Sequence, residues 1–218
     1  MALATIAFLA YQLPPYLGFH TDRPRIPLRF PLHYAVLAGH VGFGTVAMVT
    51  MCLQMWPWLR REHPVAHRRI GRVYLFAGAL PSAALALIMF PVTFKSGSIG
   101  VLMSAVLWSV TGVMGFVRAR QRRWRDHRRY MLYSFAIMWG QVVWGFVIGM
   151  SWIWYSPWLE EVDIGYVIEA SRWVGWVGNL VVVQWWLDRT PKRPARTTPA
   201  AGRPGVTPAP PVPAKART

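Results

Sequence analysis

Two short motifs hold most of the side chains that could do chemistry. His67-Arg68-Arg69 and His127-Arg128-Arg129 each set an imidazole and two guanidinium groups just ahead of an apolar run, with Tyr74 and Tyr133 about two turns further on. His40 stands apart, inside an apolar run of its own. A histidine within a membrane is costly, which makes it a candidate ligand or proton-path residue. Two histidines at matching depth on separate helices could hold one iron from opposite sides, as a bis-His b-type haem requires. That reading makes His67 and His127 the iron ligands and His40 a ligand at a second position. Arg68, Arg72 and Arg128 would then suit haem propionates, a quinone oxygen or a lipid phosphate. Gln54 and Tyr74 share helix faces with these residues and complete the cofactor-binding candidates. The same side chains also read as a headgroup clamp without chemistry, or as structural caps and interhelical hydrogen bonds.

No residue is nominated as catalytic. The chain has no Walker loop, no CxxC, no HExxH, no GxSxG and no paired-carboxylate signature. Its acidic residues lie in loops and near helix ends, which weakens an ion-coupled transporter reading. Whether the protein is an enzyme stays open.

The elements that must position these residues follow from composition. Of 218 residues, 54% are apolar and 15% charged, yet the net charge is +16. An average soluble protein carries about 25% charged residues. The apolar content argues against a disordered chain. A single cysteine, Cys52, argues against a disulfide scaffold. Thirteen tryptophans on so apolar a chain argue against a nucleic-acid binder. What remains is an integral membrane protein whose positive charge gathers on one side.

About 20 mostly apolar residues are needed to span a bilayer. Five stretches meet this: 34–56, 70–90, 99–117, 130–150 and 170–187. A sixth, 2–19, is interrupted by Pro14-Pro15 and reads as a kinked span. Nineteen of the 24 Lys and Arg residues then fall on one face, which the positive-inside rule assigns to the cytoplasm together with both termini. Trp56, Trp58, Trp124, Trp185 and Trp186 mark the inner helix ends as an aromatic belt. The expected fold is an all-α membrane helix bundle of about six spans over 1–188. Residues 189–218 hold 8 of the 18 prolines and read as a disordered basic tail.

Helical spacing places His33, Leu37, His40, Gly44, Ala47, Met51 and Gln54 on one face. A second stripe joins His67, Gly71, Tyr74, Gly78 and Ser82, and a third His127, Met131, Ser134, Met138, Gln141 and Gly145. The two His-Arg-Arg motifs lie 60 residues apart, and their helices run in the same direction. That spacing fits a repeated helix hairpin.

At this point the chain resembles a known family. His40, Gln54, His67-Arg68, Gly71-Arg72, Tyr74, His127-Arg128, Met131 and the run from Trp176 to Asn179-Leu180 form an ordered pattern. It is similar to the predicted multi-span membrane proteins grouped as domain of unknown function 2306, over Pro31 to Leu187. Trp144 departs from it, at a position where that family is expected to carry an arginine. The resemblance implies a membrane bundle and brings no activity with it. The expected setting is a bacterial plasma membrane. The expected partners are the bilayer and its anionic headgroups or a larger membrane complex, with no nucleic acid.

Overall fold

The computed structural model describes residues 2–17, 28–92, 97–145, 147, 151, 154 and 163–190. All regular structure among them is helical. The tail from 191 onward and most of the loop between 146 and 162 lie outside the described residues.

Helix α1 (Ala2–Gln12) stops at Leu13, and α2 (Pro14–Leu17) resumes for one turn. The break falls where the Pro14-Pro15 pair predicts it. Eleven residues rise about 16 Å, roughly half of a bilayer core. The described part of this segment is therefore two short helices.

Three helices are long and apolar enough to cross a membrane: His33–Met55, Pro64–Val92 and Ser98–Arg120. The first is α3. After it, Pro57 and Pro64 occupy the first turns of α4 (Pro57–Glu62) and α5 (Pro64–Tyr74). Proline suits that position because the missing N–H would have no partner there. The second crossing helix continues α5 through a wide π-turn, Leu75–Ala79, into α6 (Leu80–Met89). In that turn Leu80 N–H bonds the Leu75 carbonyl, five residues back. Pro81 follows at once, so the looser turn absorbs the missing donor and the ring.

Helix α7 (Ser98–Arg120) descends to a tight turn at Gln121–Arg123, where Arg122 takes a φ of 57°. Helix α8 (Trp124–Trp139) rises from it and passes into a second π-turn, Gly140–Trp144. Helix α9 (Ile164–Arg189) is capped by Asp163, whose Oδ1 accepts from Gly165 N–H at 2.7 Å.

Two helices start ahead of their apolar runs: runs 70–90 and 130–150 begin after His67 and His127, and the helices begin at Pro64 and Trp124. Hydropathy marks where the apolar stretch starts, while the backbone is already helical a turn or two earlier in the basic segment. Both histidines are therefore helical residues.

Helix α3 packs along α5, the first π-turn and α6, while α7 packs on α8, and α9 covers α8 and the second π-turn. Each π-turn sits at a glycine contact. A Cβ on Gly78 would lie 2.8 Å from the Ala47 backbone, and one on Gly140 would collide with the Gly175 carbonyl oxygen. The core joins Ala47, Met51, Tyr74, Ala79, Ile137 and Trp176. Outward positions stay apolar: Phe76, Ile88, Val110 and Val181 are all at least half exposed. A surface of that kind suits lipid in place of water.

Candidate functional site

The three predicted stripes do face the bundle interior. His33, Leu37, Ala47 and Met51 of α3 are buried, as are Tyr74, Gly78 and Ser82 on the second crossing helix and Ser134 and Met138 on α8. Of the polar members of these stripes, His40, Gln54, Tyr74, Ser82, His127 and Ser134 find partners on neighbouring helices, whereas both amide atoms of Gln141 are buried without a hydrogen-bond partner among the described residues.

His40 is engaged by Ser82. Its Nδ1 lies 2.9 Å from the Ser82 carbonyl, which can only accept, so Nδ1 carries the proton. Ser82 Oγ donates in return to the His40 carbonyl at 3.1 Å. This clasp ties α3 to α6 in the half of the bundle away from the His-Arg-Arg motifs. Gln54 closes the opposite end of α3. Its Nε2 donates to the His67 carbonyl at 2.8 Å, and Gly71 leaves the space it needs.

His127 is held in the same manner as His40. Its Nδ1 donates to the Gly115 carbonyl on α7 at 2.8 Å, leaving the Nε2 lone pair available. His67 Nδ1 is buried with no hydrogen-bond partner among the described residues. The two imidazoles are close enough to interact electrostatically, and Arg60 and Arg68 act on His67 as well. His67 and His127 thus lie within electrostatic reach of each other at one end of the bundle. Arg68, Arg72 and Arg128 are exposed around them. Arg128 lies over the Trp186 ring at 5.0 Å, a cation–π contact of the kind found at membrane interfaces. Among the described residues no carboxylate pairs with Arg60, Arg68, Arg72 or Arg128, and the ion pair present joins Arg123 to Asp126.

The 60-residue echo extends to solvent exposure. Residues 61–70 and 121–130 follow the same order of exposed and half-buried positions, residue for residue. One turn or two deeper, Tyr74 and Ser134, again 60 apart, touch directly. Their hydroxyl oxygens are 2.6 Å apart, and Trp108 Nε1 donates to the Tyr74 oxygen at 2.8 Å. Tyr74 is therefore the hub of a buried triad across α5, α7 and α8. Trp108 was not among the sequence candidates, since a lone tryptophan in an apolar run carries no signal of a buried partner.

A second polar set also escaped the motif reading. Arg129 Nε donates to the Tyr133 oxygen at 2.6 Å, Tyr133 donates to Gln184 Oε1, and Gln184 Nε2 donates to Asp188 at 2.7 Å. Asn179 Nδ2 reaches the Ala136 carbonyl at 3.3 Å, an interhelical bond as its mid-helix position suggests.

Two cavities accompany these groups. One of about 480 Å³ lies over His63, Pro64 and Arg69 near the start of α5. Another of about 620 Å³ opens between α7, α8 and α9. Neither is lined by His67 or His127. Among the described residues no group of three or more His, Cys, Asp or Glu gathers as a metal site.

No curated protein and no solved structure matches the chain. A family model described as "Predicted membrane protein (DUF2306)" matches residues 37–187, well over half of the sequence. The chain is a membrane protein belonging to the DUF2306 family.

Proposed function

We propose that this protein crosses the plasma membrane of a bacterial cell six times with both termini in the cytoplasm, and that its inner mouth receives an anionic headgroup. The observation that carries this reading is the electrostatic reach of His127, Arg60 and Arg68 to His67, with Arg72 and Arg128 exposed on the same two helices and no carboxylate paired with Arg60, Arg68, Arg72 or Arg128 among the described residues. A phosphate accepts several charge-assisted hydrogen bonds, and guanidinium offers them in a planar fork. His67 Nδ1, buried and without a partner, supplies a further polar atom. In this reading the protein is a binding module or the accessory subunit of a membrane complex. The test is lipid analysis of detergent-purified protein. Anionic lipid should co-purify with wild type and fall in the Arg68→Ala/Arg128→Ala double variant; unchanged anionic lipid sinks the proposal.

A second reading, a b-type haem or quinone-linked electron-transfer protein, has its own support. His127 and His40 each fix Nδ1 on a backbone carbonyl of the adjacent helix. In known metal sites a backbone acceptor on one ring nitrogen fixes the tautomer and orients the other nitrogen toward the metal. His67 and His127 would hold haem iron, which would supply one-electron redox chemistry, and Arg68, Arg72 and Arg128 would pair with propionates. Gln54 and Tyr74 would keep the two histidine-bearing helices in place. Visible spectra of haem-replete protein decide it: a Soret band lost in His67→Ala and His127→Ala supports this reading, and no Soret band removes it.

A further inference from the structure

The cavity between α7, α8 and α9 is two-faced. Its walls are Leu107, Ile137, Leu180 and Val181, and its inner rim carries Tyr133, Gln184 and Asp188. Along α9 the slot runs from Leu180 to Asp188, about 12 Å at the helical rise, close to the depth of one leaflet's hydrocarbon. The rim is not uniformly cationic like the mouth. Gln184 bridges two opposite charges: its Oε1 takes Arg129 Nη2 at 3.3 Å, and its Nε2 donates to Asp188 at 2.7 Å. Arg129 is exposed and keeps guanidinium N–H groups beyond those given to Tyr133 and Gln184. Asp188 keeps a carboxylate oxygen beyond the one that Gln184 engages.

We propose that this groove is a binding site for an inner-leaflet phospholipid with a zwitterionic, primary-amine headgroup of the phosphoethanolamine type. An acyl chain fills the apolar walls, the phosphate accepts from Arg129, and the ammonium donates to Asp188. The charge order selects among lipids. A glycerol headgroup offers Asp188 no cation, and a quaternary choline has no N–H to donate to it. The chain's own segment after Thr190 also leaves from this end of α9, but it is basic and proline-rich. It holds few side chains able to fill an apolar slot.

The site is separate from the mouth at His67 and His127, and it stands or falls independently. The experiment incorporates the full chain into nanodiscs holding equal parts phosphatidylethanolamine, phosphatidylcholine and phosphatidylglycerol. Native mass spectrometry then identifies the retained lipid. Phosphatidylethanolamine should be retained about threefold over each of the other two lipids, the size expected of one extra charge-assisted hydrogen bond at an exposed rim. Asp188→Asn should remove the preference over phosphatidylcholine, and Val181→Trp, from a position already exposed, should lower lipid retention altogether. His67→Gln and His127→Gln should leave the preference in place even if the headgroup proposal for the mouth fails. Equal retention of the three lipids in wild type overturns the proposal. So does a preference that survives Asp188→Asn, or retention that appears only when the chain is cut after Thr190.

Discussion

The Tyr74 and Ser134 hydroxyls, sixty positions apart in sequence, lie 2.6 Å from each other in the middle of the bundle. Both residues are almost completely buried, at 1% and 0% exposed. Trp108 Nε1 completes the set. Tyr74→Phe leaves Ser134 and Trp108 short of a partner, whereas Ser134→Ala removes one bond and leaves Tyr74 the Trp108 donor. Hydrogen bonds inside membrane bundles contribute about 0.6 kcal/mol on average and up to about 1.7 kcal/mol. Tyr74→Phe should therefore cost about 1–2 kcal/mol and Ser134→Ala less. The double variant should cost less than the sum, read by reversible unfolding in mixed micelles.

Glycine substitutions should separate close approach from open space. Gly78→Ala sets a methyl group 2.8 Å from the Ala47 backbone, and overpacking of this kind costs about 1–3 kcal/mol. Gly178, also helical, has nothing within 4 Å of an added Cβ. Gly178→Ala should be neutral or stabilising by up to about 1 kcal/mol through helix propensity. Melting temperatures of the two variants, measured side by side, should move in opposite directions or differ clearly.

The His40–Ser82 clasp predicts a coupled pair. Ser82→Ala removes the bond to the His40 carbonyl, and His40→Ala removes the bond to the Ser82 carbonyl. Each should lower stability by about 0.5–1.5 kcal/mol. Amide exchange near Ser82 should rise in both variants, with little change at Tyr74. Uniform acceleration through the bundle would contradict a local clasp.

Topology has a direct check because Cys52 is the sole cysteine. In a Cys52→Ser background, Tyr166→Cys should react with an impermeant thiol reagent on intact cells. Arg125→Cys should react only after permeabilisation. The reverse pattern would invert the orientation proposed from the charge distribution.

Much of this architecture is legible in particular residues. The apolar runs locate α3, the second crossing helix and α7, and the 60-residue His-Arg-Arg spacing matches the repeated exposure pattern of 61–70 and 121–130. The Pro14-Pro15 pair marks the break between α1 and α2. The helix starts at Pro64 and Trp124 are less legible, because a basic helical turn looks polar to any hydropathy window. The Tyr74 hub is hidden for another reason. Echoing motifs align Tyr74 with Tyr133, yet the residue that touches it is Ser134, and one position on a helix is a rotation of about 100°. The partner of His40 is likewise fixed by packing of α3 on α6, which spacing within α3 does not reveal.

The π-turn at Leu75–Ala79 sets the phase of everything after it. It takes up about one residue more than an α-helical turn, so the helix beyond it is rotated by about 100° relative to an uninterrupted one. Ser82 meets His40 only with that offset in place. Deleting Ala77 would restore an even helix and move Pro81 into an ordinary turn. Because it removes one residue together with the offset, the Ser82 side chain would keep its phase toward α3, and His67 and Tyr74, which precede the turn, would stay where they are. The turn thus acts as a phase shifter between two halves of one helix that both pack on α3, while Tyr74, just before the turn, also reaches Ser134 of α8.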